Sequence, residues 1–258
     1  MLLVMDVGNS HTVLGLYDKD ELRGHWRIVT TSNRTADELR VMIAMLFQQE
    51  GIAPGAVNGC CIASVAPDQN WPLQQVSQGM FGVEPLFVGP GMRTGLIIQV
   101  ESPKEVGADR IVNAVAAIEH YGGPLVVVDF GTATTFDVIT ERAEYRGGVI
   151  VPGIQISADA LFERCAKLPR VEVLKPDTVI GRDTISNIRS GLTYGYADMV
   201  DGLIRRISRE MNAEPTVVAT GGFAQTIAEL SSCIRHVDPL LTLKGLKAVQ
   251  ARNAKALA

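Results

Sequence analysis

The stretch LLVMDVGNSHTVLGLYD, residues 2–18, places an acid at the end of a short apolar run. Leu2–Met5 is typical of a buried strand, and Asp6 ends it. A turn of small polar residues follows, and the apolar pattern resumes at Val13. This order predicts a hairpin of two strands whose tip carries a carboxylate and a glycine turn.

A second copy of this pattern, PLVVVDFGTATTFDVI, occupies residues 124–139. When the two stretches are aligned on their acids, Asp129 matches Asp6 and Thr135 matches Thr12. The two acids are separated by about half of the chain, which indicates an internal duplication.

Each copy continues in the same way, as VLGLYDKDELRGHWRI and as TFDVITERAEYRGGVIV. Both continuations contain a polar turn between apolar runs, which is typical of a β-meander. The sequence therefore predicts two similar α/β halves, residues 1–118 and residues 119–258, each opening with a hairpin.

The predicted hairpin tips have the composition of a phosphate site. Turns of Gly, Ser, Thr and Asn expose backbone N–H groups, which can bind phosphate oxygens. A carboxylate repels phosphate, but it can hold Mg²⁺, which binds phosphate oxygens in turn. A single Asp-x-Gly is more often an ordinary turn. Two copies with the same flanking strands favour phosphate binding.

Composition and charge exclude several classes of protein. The 258 residues are 47% hydrophobic and carry a net charge of -4, which is typical of a globular protein with a substantial core. The sequence contains no block of Lys and Arg residues, which argues against a nucleic-acid or membrane-surface partner. No apolar run approaches the ~20 residues of a membrane span, and the N-terminus does not resemble a signal peptide.

The four cysteines contain no CxxC pair, which argues against a metal site built on them. They are Cys60, Cys61, Cys165 and Cys233. We expect reduced, mostly buried thiols in a cytoplasmic protein.

The stretch ESPKEVGADRIVNAVAAIEHYG, residues 101–122, combines a helix start with an acid and a base. Ser102, Pro103 and Glu105 predict a capped start. A stripe with helical spacing follows and predicts a core-facing side: Ile111, Val115 and Ile118. Gly107–Arg110 lies between the capping residues and this stripe. An adjacent acid and base near a helix start more often form a solvated ion pair on an ordinary helix than a functional site.

The duplicated tips resemble those of the actin-like ATPases and sugar kinases, a superfamily with two ribonuclease-H-like halves and an ATP cleft between them. The stretch VVATGGFA, residues 217–224, resembles the adenosine motif of that superfamily. We expect a strand at Val217–Ala219, then a glycine turn that allows close approach of a nucleotide, then a helix.

Within this superfamily, EVGADR resembles the motif of the type III pantothenate kinases, which make 4'-phosphopantothenate in coenzyme A biosynthesis. Further stretches occur in that family's order and approximate spacing: DVGNS, VGADRIVNA, DFGTATTFD, GGVIVPG, LPRVE, IGRDT, SGLTYGYADMVDGLIRRI and ATGGFA. The resemblance extends along nearly the whole chain.

The resemblance implies ATP and metal roles for the matching positions. The loop for the ATP phosphates comprises Asp6, Val7, Gly8, Asn9, Ser10, His11, Thr12 and Val13. Asp6 is implied to lie near Mg²⁺, and Thr132, Gly221 and Gly222 are implied as further ATP contacts. Asp129 is implied as the site of an activating monovalent cation, K⁺ or NH₄⁺.

The resemblance also implies a pantothenate site. The contacting segment matches Gly107, Ala108, Asp109 and Arg110. Asp109 matches the base on the primary hydroxyl of the substrate. Thr184 matches another pantothenate contact, and a helix N-cap is its alternative role. Val100 stands where the family usually has a tyrosine.

The family is dimeric, so a second copy of the chain is an expected partner beside pantothenate and ATP. Residues 190–207 predict a long helix with a broad apolar face. That face is Leu192, Tyr196, Met199, Leu203 and Ile207. It is either core or a dimer contact, and the sequence leaves both open.

The predicted function is ATP-dependent phosphorylation of pantothenate, the first step of coenzyme A biosynthesis. The alternatives are a non-enzymatic ATP-binding regulator of the same family, a kinase of another small alcohol, and a hydrolase on the same scaffold. Acids at Asp6, Asp109 and Asp129 argue against a decayed site.

Overall fold

The repeated stretches form the same strand arrangement twice in the computed structural model, which describes residues 1–254. The first sheet contains β1 (Leu2–Val7), β2 (His11–Asp18), β3 (Glu21–Val29), β4 (Gly59–Ser64) and β5 (Leu86–Phe87). Its order is β3-β2-β1-β4-β5, with β1, β2 and β3 antiparallel and β4 parallel to β1.

The second sheet repeats this order and adds one edge strand. It contains β6 (Ile97–Ile98), β7 (Leu125–Phe130), β8 (Ala133–Ile139), β9 (Glu144–Pro152), β10 (Thr216–Gly221) and β11 (His236–Val237). Its order is β11-β10-β7-β8-β9-β6, so β7 takes the place of β1 and β10 that of β4. The predicted α/β duplication and both meanders are confirmed.

The α-helices in the described part of the chain are α1 (Ala36–Gln49), α2 (Asn70–Val76), α3 (Ala108–Tyr121), α4 (Ile154–Arg164), α5 (Thr184–Met211), α6 (Ala224–Ala228) and α7 (Leu241–Ala254). Short 3-10 turns lie at Pro54–Ala56, Pro67–Gln69 and Pro103–Glu105, and a π turn at Ser77–Phe81. Among residues 1–254, no helix has the length and apolar character needed to cross a membrane.

The central strands are apolar because helices and neighbouring strands cover them. Leu3, Val4 and Met5 on β1 have no solvent exposure, and neither have Val126 and Val127 on β7. Such continuous apolar runs are typical of strands that are buried on both faces.

The chain divides into two units, whose limits differ from those of the predicted halves at Leu96–Val100, at residues 117–118 and at the C-terminal helix. Unit 1 comprises Met1–Gly95, Glu101–Ala116 and the segment from Thr242 onwards. Unit 2 comprises Leu96–Val100 and Ala117–Leu241. The C-terminal helix α7 therefore belongs with the first unit, whereas residues 119–258 were expected to form the second half.

Close packing of α7 on α3 explains this difference. The Thr242 hydroxyl donates to Asn113 Oδ1 at 2.8 Å. Gly245 lies so near the Val112 carbonyl that even a methyl group would have no room. A glycine thus permits the backbones of the two helices to approach, and α7 supports the helix that carries Asp109.

Helix α5 buries a face that overlaps the predicted stripe. Leu192 and Ile207 are buried, and Tyr196 and Leu203 pack at the edge of the core. Other core positions on this helix are Ile188, Ala197, Val200 and Ile204. The buried part of the stripe is therefore core of unit 2.

All four cysteines are free thiols as predicted, but only the adjacent pair is buried. Cys60 and Cys61 are buried, and burial raises the pKa of the Cys60 thiol to about 12. Cys165 is exposed and Cys233 is half-buried. Among residues 1–254 no group of three or more His, Cys, Asp or Glu residues has a metal-binding arrangement.

Asp201 on α5 anchors the loop that follows α6. Its carboxylate accepts hydrogen bonds from the Ser231 and Ser232 hydroxyls, from the Ser232 N–H at 2.8 Å and from the Cys233 N–H at 3.3 Å. Burial raises the pKa of Asp201, but these hydrogen bonds outweigh burial and hold the pKa below its ordinary value.

We expect Asp201→Asn to lower the free energy of unfolding at pH 7 by about 1–3 kcal/mol, because an amide has one acceptor oxygen in place of the two of a carboxylate and loses part of these hydrogen bonds. A carboxyl with a lowered pKa stabilises the fold at neutral pH, and this contribution disappears as the pH falls below about 4. Urea unfolding at several pH values measures both effects. Asp198→Asn, at an exposed position of α5, is the control. Equal losses in the two variants would contradict the anchor.

Candidate active site

The turn between β1 and β2 has a defined hydrogen-bond pattern. We call residues 6–13 the first tip. The Gly8 N–H donates to the His11 carbonyl at 3.0 Å and closes the turn. The Thr30 N–H donates to the Ser10 carbonyl at 2.9 Å, and the Thr12 and Thr30 hydroxyls lie 2.9 Å apart. The residue after β3 therefore holds the first tip from one side.

The polar residues of the first tip differ in exposure. Asn9, Ser10 and His11 are exposed, whereas Asp6 is half-buried beside its cross-strand partner Val13. A ligand can therefore reach the backbone of the turn, with one carboxylate at its base.

The turn between β7 and β8 is one residue shorter. We call residues 129–135 the second tip. Phe130 pairs with Thr134, with three residues between them, whereas Val7 pairs with Thr12 across four. The structural counterpart of Thr12 is therefore Thr134, and the predicted match with Thr135 is wrong. The alignment on the acids did not allow for the missing turn residue.

The backbone of the second tip is oriented by Gly153, the residue after β9. A side chain on Gly153 would collide with the carbonyl oxygens of Gly131 and Thr132, so both carbonyls point at this glycine. In a trans peptide the N–H points opposite to the C=O. The N–H groups of Thr132 and Ala133 therefore point away from Gly153. Gly131 and Thr132 are exposed, so the tip can accept a phosphate there.

Gly153 was not among the predicted site residues. The stretch GGVIVPG contained the only indication, since a glycine directly before a helix marks a close approach or a turn. The sequence could not show that this approach is to the second tip.

The glycine turn after β10 lies against Asp129. Thr220 and Gly221 pair with Asp129 and Phe130 on the parallel strand β7. Gly221 has φ +92°, and a Cβ there would lie 2.6 Å from Asp129 Oδ1. The Gly222 N–H donates to the Phe130 carbonyl at 3.1 Å. The structure thus brings Asp129, Gly221 and Gly222 together.

Helix α3 starts later than the sequence predicted. Pro103–Glu105 is a 3-10 turn, and the Ser102 side chain makes no capping hydrogen bond to it. Val106 is extended, so the α-helix begins at Ala108 and places Asp109 in its first turn. The predicted capped start at Ser102 is wrong because the extended residue separates the two helical segments.

The Asp109 carboxylate folds back over Gly107. A Cβ on Gly107 would collide with Asp109 Oδ1 and would lie 3.6 Å from Val65 Cγ1. The Val65 N–H in turn donates to the Val7 carbonyl of the first tip at 2.9 Å. Val65 is therefore hydrogen-bonded to the first tip and lies near Gly107 within unit 1.

Burial raises the pKa of Asp109 above its ordinary value. The Arg110 N–H, 2.8 Å from Asp109 Oδ1, and the positive charge of Arg110 oppose this rise without cancelling it. A carboxylate with a raised pKa is a stronger base than an ordinary aspartate.

Two further predicted residues lie on other elements of unit 2. Val100 is half-buried beside Gly147 of β9, with 3.6 Å between Val100 Cγ1 and a Cβ built on Gly147. Thr184 is the exposed first residue of α5. Asp183 is the N-cap and forms a capping box with Ser186, so the alternative role of Thr184 as N-cap is wrong.

The sequence model of the type III pantothenate kinases matches residues 2–206. The chain belongs to the type III pantothenate kinase family. Within this family, the type III pantothenate kinase of Exiguobacterium sp. is 52% identical over 99% of this chain and 100% of the relative.

Solved structures with low identity show the same fold. A Baf family transcriptional activator from Campylobacter jejuni has a TM-score of 0.62 at 19% identity, over 98% of this chain and 99% of that one. A 2-dehydro-3-deoxygalactonokinase from Sinorhizobium meliloti has a TM-score of 0.62 at 14% identity, over 100% and 98%. The type III pantothenate kinase chain therefore has the predicted actin-like ATPase and sugar kinase fold.

We expect Gly153→Ala to weaken nucleotide binding about 10-fold or more, because the methyl group displaces the Gly131 and Thr132 carbonyls and turns the N–H groups of the second tip. Calorimetric titration with Mg·ADP measures the dissociation constant. Gly191→Ala on α5 is the control, since its methyl group enters open space. Unchanged affinity in a folded Gly153→Ala protein would contradict this role.

Proposed function

We propose that the chain transfers the γ-phosphoryl group of ATP to the primary hydroxyl of pantothenate, which gives 4'-phosphopantothenate for coenzyme A biosynthesis. Membership of the type III pantothenate kinase family supports this function. One observation in unit 1 carries the mechanism. The Val65 N–H donates to the Val7 carbonyl of the first tip and the Val65 side chain lies near Gly107, which supports a candidate base close to a phosphate loop.

The two tips are proposed as the phosphate contacts of ATP. In unit 1 the first tip offers an exposed, closed turn from Gly8 to His11. In unit 2 the second tip offers the outward N–H groups of Thr132 and Ala133. The turn at Gly221 and Gly222 is proposed to contact the nucleoside, since a glycine at φ +92° leaves the backbone open to close approach.

The carboxylates beside the tips have the chemistry of cation ligands. Asp6 is a half-buried oxygen donor beside the first tip, and Mg²⁺ is commonly held by one carboxylate together with substrate phosphates and water. Mg²⁺ held by Asp6 would supply positive charge to neutralise the phosphates. Asp129 is proposed as the monovalent cation site, because K⁺ and NH₄⁺ are both bound by oxygen atoms such as those of a carboxylate.

Asp109 is proposed as the base for the substrate hydroxyl. As the hydroxyl oxygen bonds to the γ-phosphorus, the bond to the ADP oxygen breaks and the hydroxyl proton moves to the Asp109 carboxylate. Phosphoryl transfer is loose, so this proton leaves late and an ordinary aspartate is already adequate. The pKa raised by burial improves the match between the carboxylate and its task.

The remaining substrate contacts are proposed from the family resemblance. Gly107 and Ala108 are proposed as pantothenate contacts beside Asp109, and the Arg110 guanidinium is suited to the pantothenate carboxylate. Thr184 is exposed at the start of α5 and free of the capping role, which supports a ligand contact. Val100 replaces a hydroxyl donor by an apolar side chain, so we expect this contact to be absent.

A homodimer in the cytoplasm is proposed on the same basis. Large apolar side chains near Thr184 support a protein contact there. They are Val179, Ile180 and Ile185, which are 61%, 82% and 42% exposed.

Release of ADP from Mg·ATP, with and without pantothenate and in potassium or sodium buffer, tests the proposed function. We expect release that requires pantothenate and is faster in potassium. Release at the same rate without pantothenate would indicate a hydrolase. Binding of ATP without release would indicate a regulator or a kinase of another alcohol, and a panel of small alcohols separates these two.

We expect Asp109→Asn to lower kcat by about 10²–10⁴-fold, because the amide cannot accept the hydroxyl proton. The KM for ATP should change little, since Asp109 is not proposed to contact the nucleotide. Steady-state kinetics measure both constants. Near-normal turnover of the variant would contradict the assignment of the base.

We expect Gly107→Ala to lower kcat by about 10- to 100-fold, because the added methyl group displaces the Asp109 carboxylate. Gly55→Ala adds a methyl group to open space in the same unit and should leave kcat unchanged. The same kinetic assay compares the two variants. Equal kcat values would show that the carboxylate does not depend on Gly107.

A further inference from the structure

The Tyr196 hydroxyl on α5 contacts the chain on either side of Gly153. It lies 2.9 Å from the Pro152 carbonyl and 2.6 Å from Ser157 Oγ. The carbonyl can only accept, and a tyrosine hydroxyl has a single proton. Tyr196 therefore donates to Pro152 and accepts from Ser157, so both capacities of its hydroxyl are used.

These two bonds bracket the residue that orients the second tip. Pro152 precedes Gly153 directly, and the Ser157 N–H donates to the Gly153 carbonyl at 3.0 Å. Pro152 has no N–H, so its carbonyl is the one main-chain group of this residue that can form a hydrogen bond. The tyrosine hydroxyl supplies a bond to the same residue from another element.

We propose that Tyr196 is a positioning residue for the nucleotide phosphates. Its hydroxyl holds the turn at Pro152 and Gly153 against the carbonyls of Gly131 and Thr132, and thereby keeps the N–H groups of the second tip turned outward. This inference rests on the proposed function, because it takes the second tip as a phosphate contact of ATP. Tyr196 itself touches neither the nucleotide nor pantothenate.

Loss of the Tyr196 hydroxyl alone should weaken nucleotide binding, and it should leave pantothenate binding unchanged. The Tyr196 ring packs at the edge of the unit 2 core, so Tyr196→Phe keeps the packing and removes only the two hydrogen bonds. Loss of such bonds is expected to raise the dissociation constant of Mg·ADP and the KM for ATP by about 3- to 10-fold. The KM for pantothenate and kcat at saturating ATP should stay within twofold.

Helix α5 offers a matched control two residues away. The Tyr194 hydroxyl donates to the Pro176 carbonyl at 3.2 Å, so Tyr194→Phe removes the same kind of bond from the same helix without touching the turn at Gly153. Ser157→Ala removes one of the two partners of Tyr196 and should weaken nucleotide binding about twofold. It replaces Tyr196→Phe if that variant does not fold.

The test compares the three variants with the wild-type protein by calorimetric titration with Mg·ADP, steady-state kinetics and thermal unfolding. Weaker nucleotide binding in Tyr196→Phe alone, with pantothenate KM unchanged, supports the proposal. Equal affinities overturn it, and so does an equal loss in Tyr194→Phe, which would reflect general loosening of α5. Wild-type protein that binds Mg·ADP but does not phosphorylate pantothenate would overturn the proposed function and leave this comparison intact.

Discussion

The proposed phosphate contacts depend on the direction of a few peptide groups at the hairpin tips. An N–H that faces outward requires the C=O of the same peptide unit to face inward, because the unit is planar and trans. In each sheet the residue after the third strand receives those carbonyls. Thr30 donates to the Ser10 carbonyl, and Gly153 leaves space for those of Gly131 and Thr132. Duplication of the meander thus duplicates the means of orienting a tip.

The aspartate side chains of this protein differ in pKa because their surroundings differ. Asp201 accepts hydrogen bonds from hydroxyl and N–H groups, so its pKa falls and it serves to hold a loop. Asp109 is covered with fewer compensating bonds, so its pKa rises and it gains strength as a base. Asp6 and Asp129 stand beside the backbone turns proposed to contact phosphate, and a cation is the proposed partner of each carboxylate there.

The fold was predictable from the sequence because its pattern is local and repeated. Apolar runs that end at Asp6 and Asp129 specify central strands, and the turns that follow specify the meanders. Contacts between distant segments were not predictable. The contacts of three residues are with segments that are distant in the sequence and adjacent only in the folded chain: Gly153, Val65 and Tyr196.

The errors of prediction have local causes. Ser102 and Pro103 have the composition of a helix start, but they begin a 3-10 turn, and the extended residue after that turn delays α3. The match of Thr12 with Thr135 failed because the second tip lacks one residue. Helix α7 belongs to unit 1 because Gly245 lies close to α3, and the hydrophobic pattern of the sequence does not indicate such an approach.

The pH dependence of kcat in the wild-type protein and in Asp109→Asn tests whether the half-buried carboxylate in the first turn of α3 is the base. A base must be deprotonated, so wild-type kcat should fall as the pH drops through a pKa above the ~3.9 of an ordinary aspartate. The residual activity of the variant should lack this acidic limb, with circular dichroism confirming that both proteins stay folded. The same limb in both proteins would contradict the role of Asp109.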